Sequence, residues 1–146
     1  MTRKRTRYVV DASVVVKLLV QEPLSDRVDA LFDLMAQDSE TRLFAPDLLF
    51  MECANILWKY TKRFGMTRKE AHANLKRLES LALDTVSTHP YLAQALRLAS
   101  RYDFSVYDAC YVTVAKSLKA PLVTADMKLV RKVKGSRNRI LALEDF

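Results

Sequence analysis

The chain is poor in the residues that interrupt regular structure. Its 146 residues include only two glycines and four prolines, too few for a turn-rich β-sandwich, a collagenous repeat or a low-complexity chain. Cysteine is as scarce: Cys53 and Cys110 each sit inside an apolar helical pattern, which excludes a secreted disulfide framework and points to a reducing, cytoplasmic compartment. No apolar run reaches the roughly 18 residues that a membrane helix needs, so no membrane partner is expected. The basic start, Met1 to Arg7, runs on into Asp11 and Lys17 rather than into a small-residue cleavage site, so a secretory leader is not expected either.

What remains is apolar and basic. Half of the residues are hydrophobic and 28% are charged, enough to form a core in one domain spanning residues 1–146. Lysine and arginine number 24 against 17 acidic residues, a net charge of +7. The excess gathers at the two ends: Arg3, Lys4, Arg5 and Arg7 in a basic extension over residues 1–7, and Lys128, Arg131, Lys132, Lys134, Arg137 and Arg139 near the end. Such blocks attract polyanions, because phosphate contacts release counterions from nucleic acid. A solvated tail and a soluble helix face account for the same residues without a ligand.

Hydrophobic periodicity alternates between short strands and longer helices. Tyr8–Val10, Leu43–Ala45, Leu83–Ser87, Pro121–Thr124 and Arg139–Ala142 read as strands. Helical spacing marks Leu24–Gln37 (Val28, Leu31, Leu34 and Met35 on one face), Asp47–Phe64 (Leu49, Cys53, Ile56, Leu57 and Tyr60) and the segment after Pro90 (Leu92, Ala95, Leu96 and Ala99). Val106–Leu118 and the basic Met127–Val133 are helical too. Gly65 suits a left-handed helix end, and Thr67 with Glu70 forms a capping-box pattern opening a helix to about Leu81. Ser13–Val20 fits strand by its valines and helix by the spacing of Val14 and Leu18. Strands separated by helices imply an α/β domain, with a mainly parallel sheet of four or five strands covered on both faces. Right-handed crossovers then bring every strand C-terminus to one edge, where open α/β sheets bind ligands.

Four acidic residues point to that edge. Asp11 follows the first strand and Asp126 follows Val123-Thr124; Glu52 lies in the helix that leaves the second strand, with Asn55 three residues on; Asp108 opens the helix before the last strong strand. Each has an ordinary alternative, as a helix cap for Asp11 and Asp126, a dipole partner for Asp108 or a boundary residue for Glu52. As a group they are flanked by apolar residues, and carboxylates held close together repel unless a cation neutralises them. Oxygen donors without a histidine or cysteine set select a hard ion such as Mg2+ or Mn2+; His72 and His89 stand alone. A divalent ion on a basic protein suits hydrolysis of a phosphodiester.

Val9-Val10-Asp11-Ala12-Ser13, Glu52-Cys53-Ala54-Asn55, Tyr107-Asp108-Ala109 and Leu122-Val123-Thr124-Ala125-Asp126 resemble, in order, the motifs of PIN-domain ribonucleases, and most of all the compact VapC-like toxins of toxin–antitoxin pairs. The resemblance spans about Tyr8 to Leu143. It implies a three-layer α/β/α fold, a helix after Ser13, and metal binding by Asp11, Glu52, Asp108 and Asp126. Ser13, Thr124 and Asn55 match its supporting polar positions. It further implies Mg2+- or Mn2+-dependent cleavage of RNA, a homodimer and a cognate antitoxin. Surplus apolar faces on the helices at 47–64 and 67–81 suit that dimer.

Other chemistries fit less well. A receiver domain needs an acidic pair where Asp11 stands alone, and a haloacid-dehalogenase phosphatase needs an aspartate where Ser13 stands. Acidic neighbours discourage the thiolate at Cys53 and Cys110, which leaves them a packing role. Tyr102, Phe104, Tyr107 and Tyr111 are candidates for stacking bases, and the basic residues Arg3, Lys4, Arg5, Arg7, Lys128, Arg131 and Lys132 for gripping phosphates. A housekeeping RNA-processing nuclease and an RNA-binding module with little catalysis are the competing functions.

Overall fold

The computed structural model describes residues 5–146. Strands β1 (Thr6–Val10), β2 (Thr41–Pro46), β3 (Asp84–Val86), β4 (Leu122–Thr124) and β5 (Ile140–Ala142) alternate with helices α1 (Ala12–Leu19), α2 (Ser25–Gln37), α3 (Leu48–Arg63), α4 (Arg68–Glu79), α5 (Leu92–Tyr102), α6 (Val106–Ser117) and α7 (Met127–Val133). The five strands form one sheet in the order β3-β2-β1-β4-β5, and every neighbouring pair is parallel. From β1 the chain travels to β2 and β3, then returns to β4 and β5 on the other side. Right-handed crossovers put α1–α4 on one face and α5–α7 on the other. The packing agrees, since α1 and α4 both rest on α3 while α6 lies across β1, β2 and β4 with α5 against it.

Consecutive strand residues point to opposite faces. Val9 with Val10 and Leu122 with Val123 are all fully buried, so both faces of the central strands are covered. This is the three-layer α/β/α arrangement. β1 begins at Thr6, so Thr6 and Arg7 of the basic extension belong to the sheet, whereas Arg3 and Lys4 lie outside the described residues. The segment after Asp11 is helical. Its β-branched run is tolerated because Val14, Val15 and Val16 are all buried, and packing outweighs their weak helix preference.

Two expected faces are rotated. On α2, Val28 and Leu31 are buried but Leu34 is 40% exposed. On α5, Ala95 and Leu98 are buried while Leu92 and Leu96 face solvent. Apolar residues surround much of α5, so its periodicity permits more than one orientation; the side that is buried carries Ala95 and Leu98.

The end of α3 and the start of α4 follow the sequence signals. Gly65 takes φ +73°, which a residue with a Cβ adopts at a cost, and the Met66 N–H donates back to the Tyr60 carbonyl at 3.3 Å. Thr67 Oγ1 accepts from the Glu70 N–H at 3.1 Å while Glu70 Oε2 accepts from the Thr67 N–H at 2.7 Å. Only Leu78 of α4 is fully buried, so this reciprocal cap supplies much of the helix's local stability. Thr67→Ala should cost about 1 kcal/mol and lower the thermal midpoint by about 2–4 °C, as read by calorimetry.

Candidate functional site

The direction of chain travel reverses between β1 and β4, and the connections leaving their C-terminal ends diverge there to open a crevice. Val9 pairs with Leu122 and Val10 with Val123, which sets Asp11 and Thr124 side by side at that point. Asp11 is only 6% exposed. It caps α1, with Oδ1 accepting from the Val14 N–H at 3.2 Å and from Ser13 Oγ at 2.5 Å. Its other oxygen accepts a short hydrogen bond from Thr124 Oγ1. The two hydroxyls are tied in turn to the loop after β4: Ser13 Oγ accepts from the Ala125 N–H and Thr124 Oγ1 from the Asp126 N–H, each at 3.0 Å. Asp11 is thus a cap and the centre of a polar network at once.

Asp126 is a helix cap too. Its Oδ1 accepts from the Lys128 and Leu129 N–H groups at 2.9 and 3.3 Å, capping α7. Glu52, half-buried on α3, accepts a 2.6 Å bond from the hydroxyl of Tyr111, whose ring is buried under α6. Asp108, also half-buried, stands in the first turn of α6, which Ser105 caps by accepting from the Asp108 N–H at 3.1 Å. Asn55 is exposed on α3.

Electrostatics joins these four groups. Burial pushes Asp11 up from its ordinary value to about 6, partly offset by the Ser13, Thr124 and Val14 hydrogen bonds, and the charge of Asp108 raises it further. Burial also raises Glu52, against the Tyr111 hydrogen bond and with Asp108 again adding to the rise. Burial raises Asp108 itself, helped by Asp126 and opposed by the Ser105 bond and the Lys132 charge. Asp108 is therefore close enough for its charge to act on both Asp11 and Glu52, and for that of Asp126 to act on it. Among the described residues, no three His, Cys, Asp or Glu side chains form a ready ion-holding group. The expected convergence of oxygens is accordingly a coupling of charges rather than a closed ligand shell. Asp11, Glu52 and Asp126 each accept hydrogen bonds from nearby donors. The donor set, oxygen-only and mutually repelling, still fits a hard divalent cation.

The basic and aromatic candidates divide. Lys128, Arg131 and Lys132 are exposed on α7, whose first turn starts at Asp126, and Lys132 Nζ donates a short hydrogen bond to the Asp103 carbonyl. Arg5 and Arg7 lie at the opposite edge of the sheet, Arg5 paired with Glu40 at 3.6 Å and Arg7 over the Phe44 ring at 5.9 Å, so they do not flank the acidic group. Tyr111 is buried and bonded to Glu52, which removes it from base stacking. Tyr102 and Phe104 stack on each other with centroids 5.8 Å apart. Tyr107 alone of the four is strongly exposed, at 61%, next to Asp108. The role of Tyr111 as a partner of Glu52 was open to sequence reasoning in one respect only: it sits three residues after Asp108 and shares its side of α6. Burial pushes the thiols of Cys53 and Cys110 up to about 12 and about 11, with the acidic neighbours adding to it, so both are inert packing residues.

Comparison with known proteins gives a consistent result. The family model described as PIN domain matches residues 8–135. The curated protein ribonuclease VapC3 of Pyrobaculum aerophilum is 34% identical over 131 residues, covering 86% of this chain and 94% of its own length. The crystal structure of PAE2754 from Pyrobaculum aerophilum has a TM-score of 0.70 at 30% identity, with 96% of this chain and 85% of that chain covered. VapBC2 from Rickettsia felis, solved bound to a DNA fragment from its promoter, has a TM-score of 0.66 over 94% of this chain and 98% of that chain. At 15% identity it is a likeness of fold.

Proposed function

The chain belongs to the PIN-domain family, and from that premise we propose that it is an endoribonuclease, dependent on Mg2+ or Mn2+, that serves as the toxin of a toxin–antitoxin pair. The observation that carries this reading is the gathering at the β1–β4 switch point of Asp11 and Asp126 with the half-buried Asp108, whose charge reaches both Asp11 and Glu52. Asp11, Glu52, Asp108 and Asp126 would hold the cation. The chemistry such an ion supplies when bound is activation of a water and neutralisation of charge gathering on the phosphodiester.

The chain's own residues do the rest. Ser13 and Thr124 engage both oxygens of Asp11 and fix its orientation, as supporting partners of metal-binding carboxylates do. Tyr111 restrains Glu52 at Oε1. Lys128, Arg131 and Lys132 offer positive charge beside Asp126 for the phosphates flanking the cleaved bond, and Tyr107 offers an exposed ring for a base. Met51 and Trp58 on α3 and Phe64 just after it are large, apolar and exposed, as contact with a second copy or an antitoxin requires; α4 presents no comparable residue among those described. Two free buried thiols accord with a cytoplasmic location, and no helix among the described residues is long and apolar enough to cross a membrane.

Single-turnover incubation with a mixed RNA pool tests the proposal. Cleavage with Mn2+ or Mg2+ and none in EDTA is expected. Binding without cutting in every metal overturns it in favour of a binding module. Arg131→Ala should weaken binding across RNA sequences and reduce the dependence of log K on log salt by about 0.7, the contribution of one phosphate contact to a single strand, as measured by fluorescence anisotropy in EDTA.

A further inference from the structure

We propose that the sheet edge opposite the carboxylates carries a second phosphate-binding site, a basic pocket between the end of α6 and the start of β5 that takes the ribose-phosphate backbone of an RNA strand. A cavity of about 220 Å³ lies there, floored by Val112, Ala115, Leu122 and Ile140, with Lys116, Lys119, Arg137 and Arg139 among its lining residues. The four cations come from two segments that the parallel β4–β5 pairing brings together, in which the Leu122 N–H donates to the Arg139 carbonyl at 2.9 Å.

Three observations separate this pocket from ordinary surface charge. First, other described cations of this edge have partners: Arg42 holds Asp84 by two bonds of 2.8 Å, Arg5 pairs with Glu40 and Arg7 lies over the Phe44 ring. Among the described residues none of Lys116, Lys119, Arg137 and Arg139 has an ion pair. Second, the negative end of the α6 dipole explains Lys116 in the last turn but not the arginines from a separate segment. Four exposed like charges around one small cavity make a local positive potential, which favours an anion. Third, Asn138 lines the same cavity with a buried side-chain oxygen that meets no donor among the described residues. A ligand satisfying it brings a hydroxyl or N–H as well as negative charge. The ribose-phosphate repeat of RNA carries both groups, and the apolar floor suits the sugar. The pocket stands on the N-terminal side of β4 and Asp126 beyond its C-terminal end, roughly 13 Å from the lining residue Leu122 at about 3.3 Å per residue, so it is a contact distinct from the acidic site.

The inference takes only its choice of RNA as phosphate carrier from the ribonuclease reading, and its test needs no cleavage. Binding of a labelled single-stranded RNA to the full chain is followed by anisotropy in EDTA between about 50 and 200 mM salt. Lys116→Glu combined with Arg139→Glu should weaken binding about tenfold or more at the lower salt and flatten the salt slope by about 1.4, two phosphate contacts' worth. The same charge change on α4, Lys69→Glu with Arg77→Glu, should leave the slope near that of the parent. Asn138→Ala should narrow the preference for RNA over DNA of the same sequence. Equal losses in the two charge-reversed proteins overturn the site, because net charge alone then accounts for the effect. A rise in thermal midpoint with inorganic phosphate, lost in the Lys116/Arg139 variant but without any change in RNA affinity, overturns the assignment to RNA. Circular dichroism of each variant establishes that the fold is intact, and Arg137→Gln gives a milder second probe of the same pocket.

Discussion

Asp11→Asn is expected to abolish RNA cleavage while making the cation-free protein more stable. The asparagine keeps the local bonding: its oxygen can accept from Ser13 and the Val14 N–H, its amide can donate to Thr124 Oγ1, and asparagine caps helices as well as aspartate. What disappears is a negative charge at a site only 6% exposed. In the parent, burial pushes this carboxyl up to about 6, so the folded state favours its protonated form. That preference supports the fold at pH values below the carboxyl's ordinary range and is lost as pH rises through about 6. Above pH 6 the ionised Asp11 therefore costs about 3 kcal/mol relative to the unfolded chain, which the substitution removes. In EDTA near pH 7 the variant should unfold several degrees above the parent, with the gap closing as pH falls toward 4. Cleavage should drop by at least about 10³-fold, beyond the 10–100-fold typical of losing a group that only orients a ligand. Calorimetry and single-turnover cleavage on the same samples read both effects. A destabilised variant would make Asp11 a structural cap and nothing more.

That pairing of roles explains why the site was only half legible in the sequence. Asp11 and Asp126 look like helix caps because they are helix caps; the role proposed for them beside that depends on Asp108, from a helix far along the chain, arriving at the same edge. The strand–helix alternation fixes the parallel sheet, and the parallel sheet fixes the edge. By itself, though, alternation does not say that β4 lies beside β1, the pairing that places Thr124 against Asp11. The ambiguous valines after Ser13 illustrate the same limit: helix and strand both fit locally, and burial of Val14–Val16 within the tertiary fold decides for the helix. The rotated face of α5 fails for the converse reason, since a helix apolar on more than one side carries no record of which side meets α6. Arg5 and Arg7 belong with the basic cluster by sequence, but a parallel strand puts its N-terminal residues at the edge away from Asp11, so they do not flank the acidic group. Glu52's partner Tyr111 comes from α6, on the other side of the sheet from α3, and only the tertiary fold brings the two together.

Asp108 is the residue through which a bound divalent ion should make itself felt in stability. At a hundredfold excess over its dissociation constant, a ligand specific for the folded state adds about 2.7 kcal/mol, a rise of about 5–10 °C in the midpoint of a chain this size. Carboxylates bind cations when ionised, yet burial and mutual repulsion favour protonation of Asp11, Glu52 and Asp108. Ion binding must then displace protons, so the rise produced by Mn2+ should be large near pH 8 and small near pH 5. Asp108→Asn removes the charge that pushes up both Asp11 and Glu52 and keeps the backbone bond to Ser105. The variant should fold without the ion at least as stably as the parent and gain little from Mn2+ at either pH. An undiminished rise in Asp108→Asn would place the ion elsewhere. A rise of equal size at pH 5 and pH 8 would mean that no protons leave on binding, and these acidic side chains could not then be its ligands.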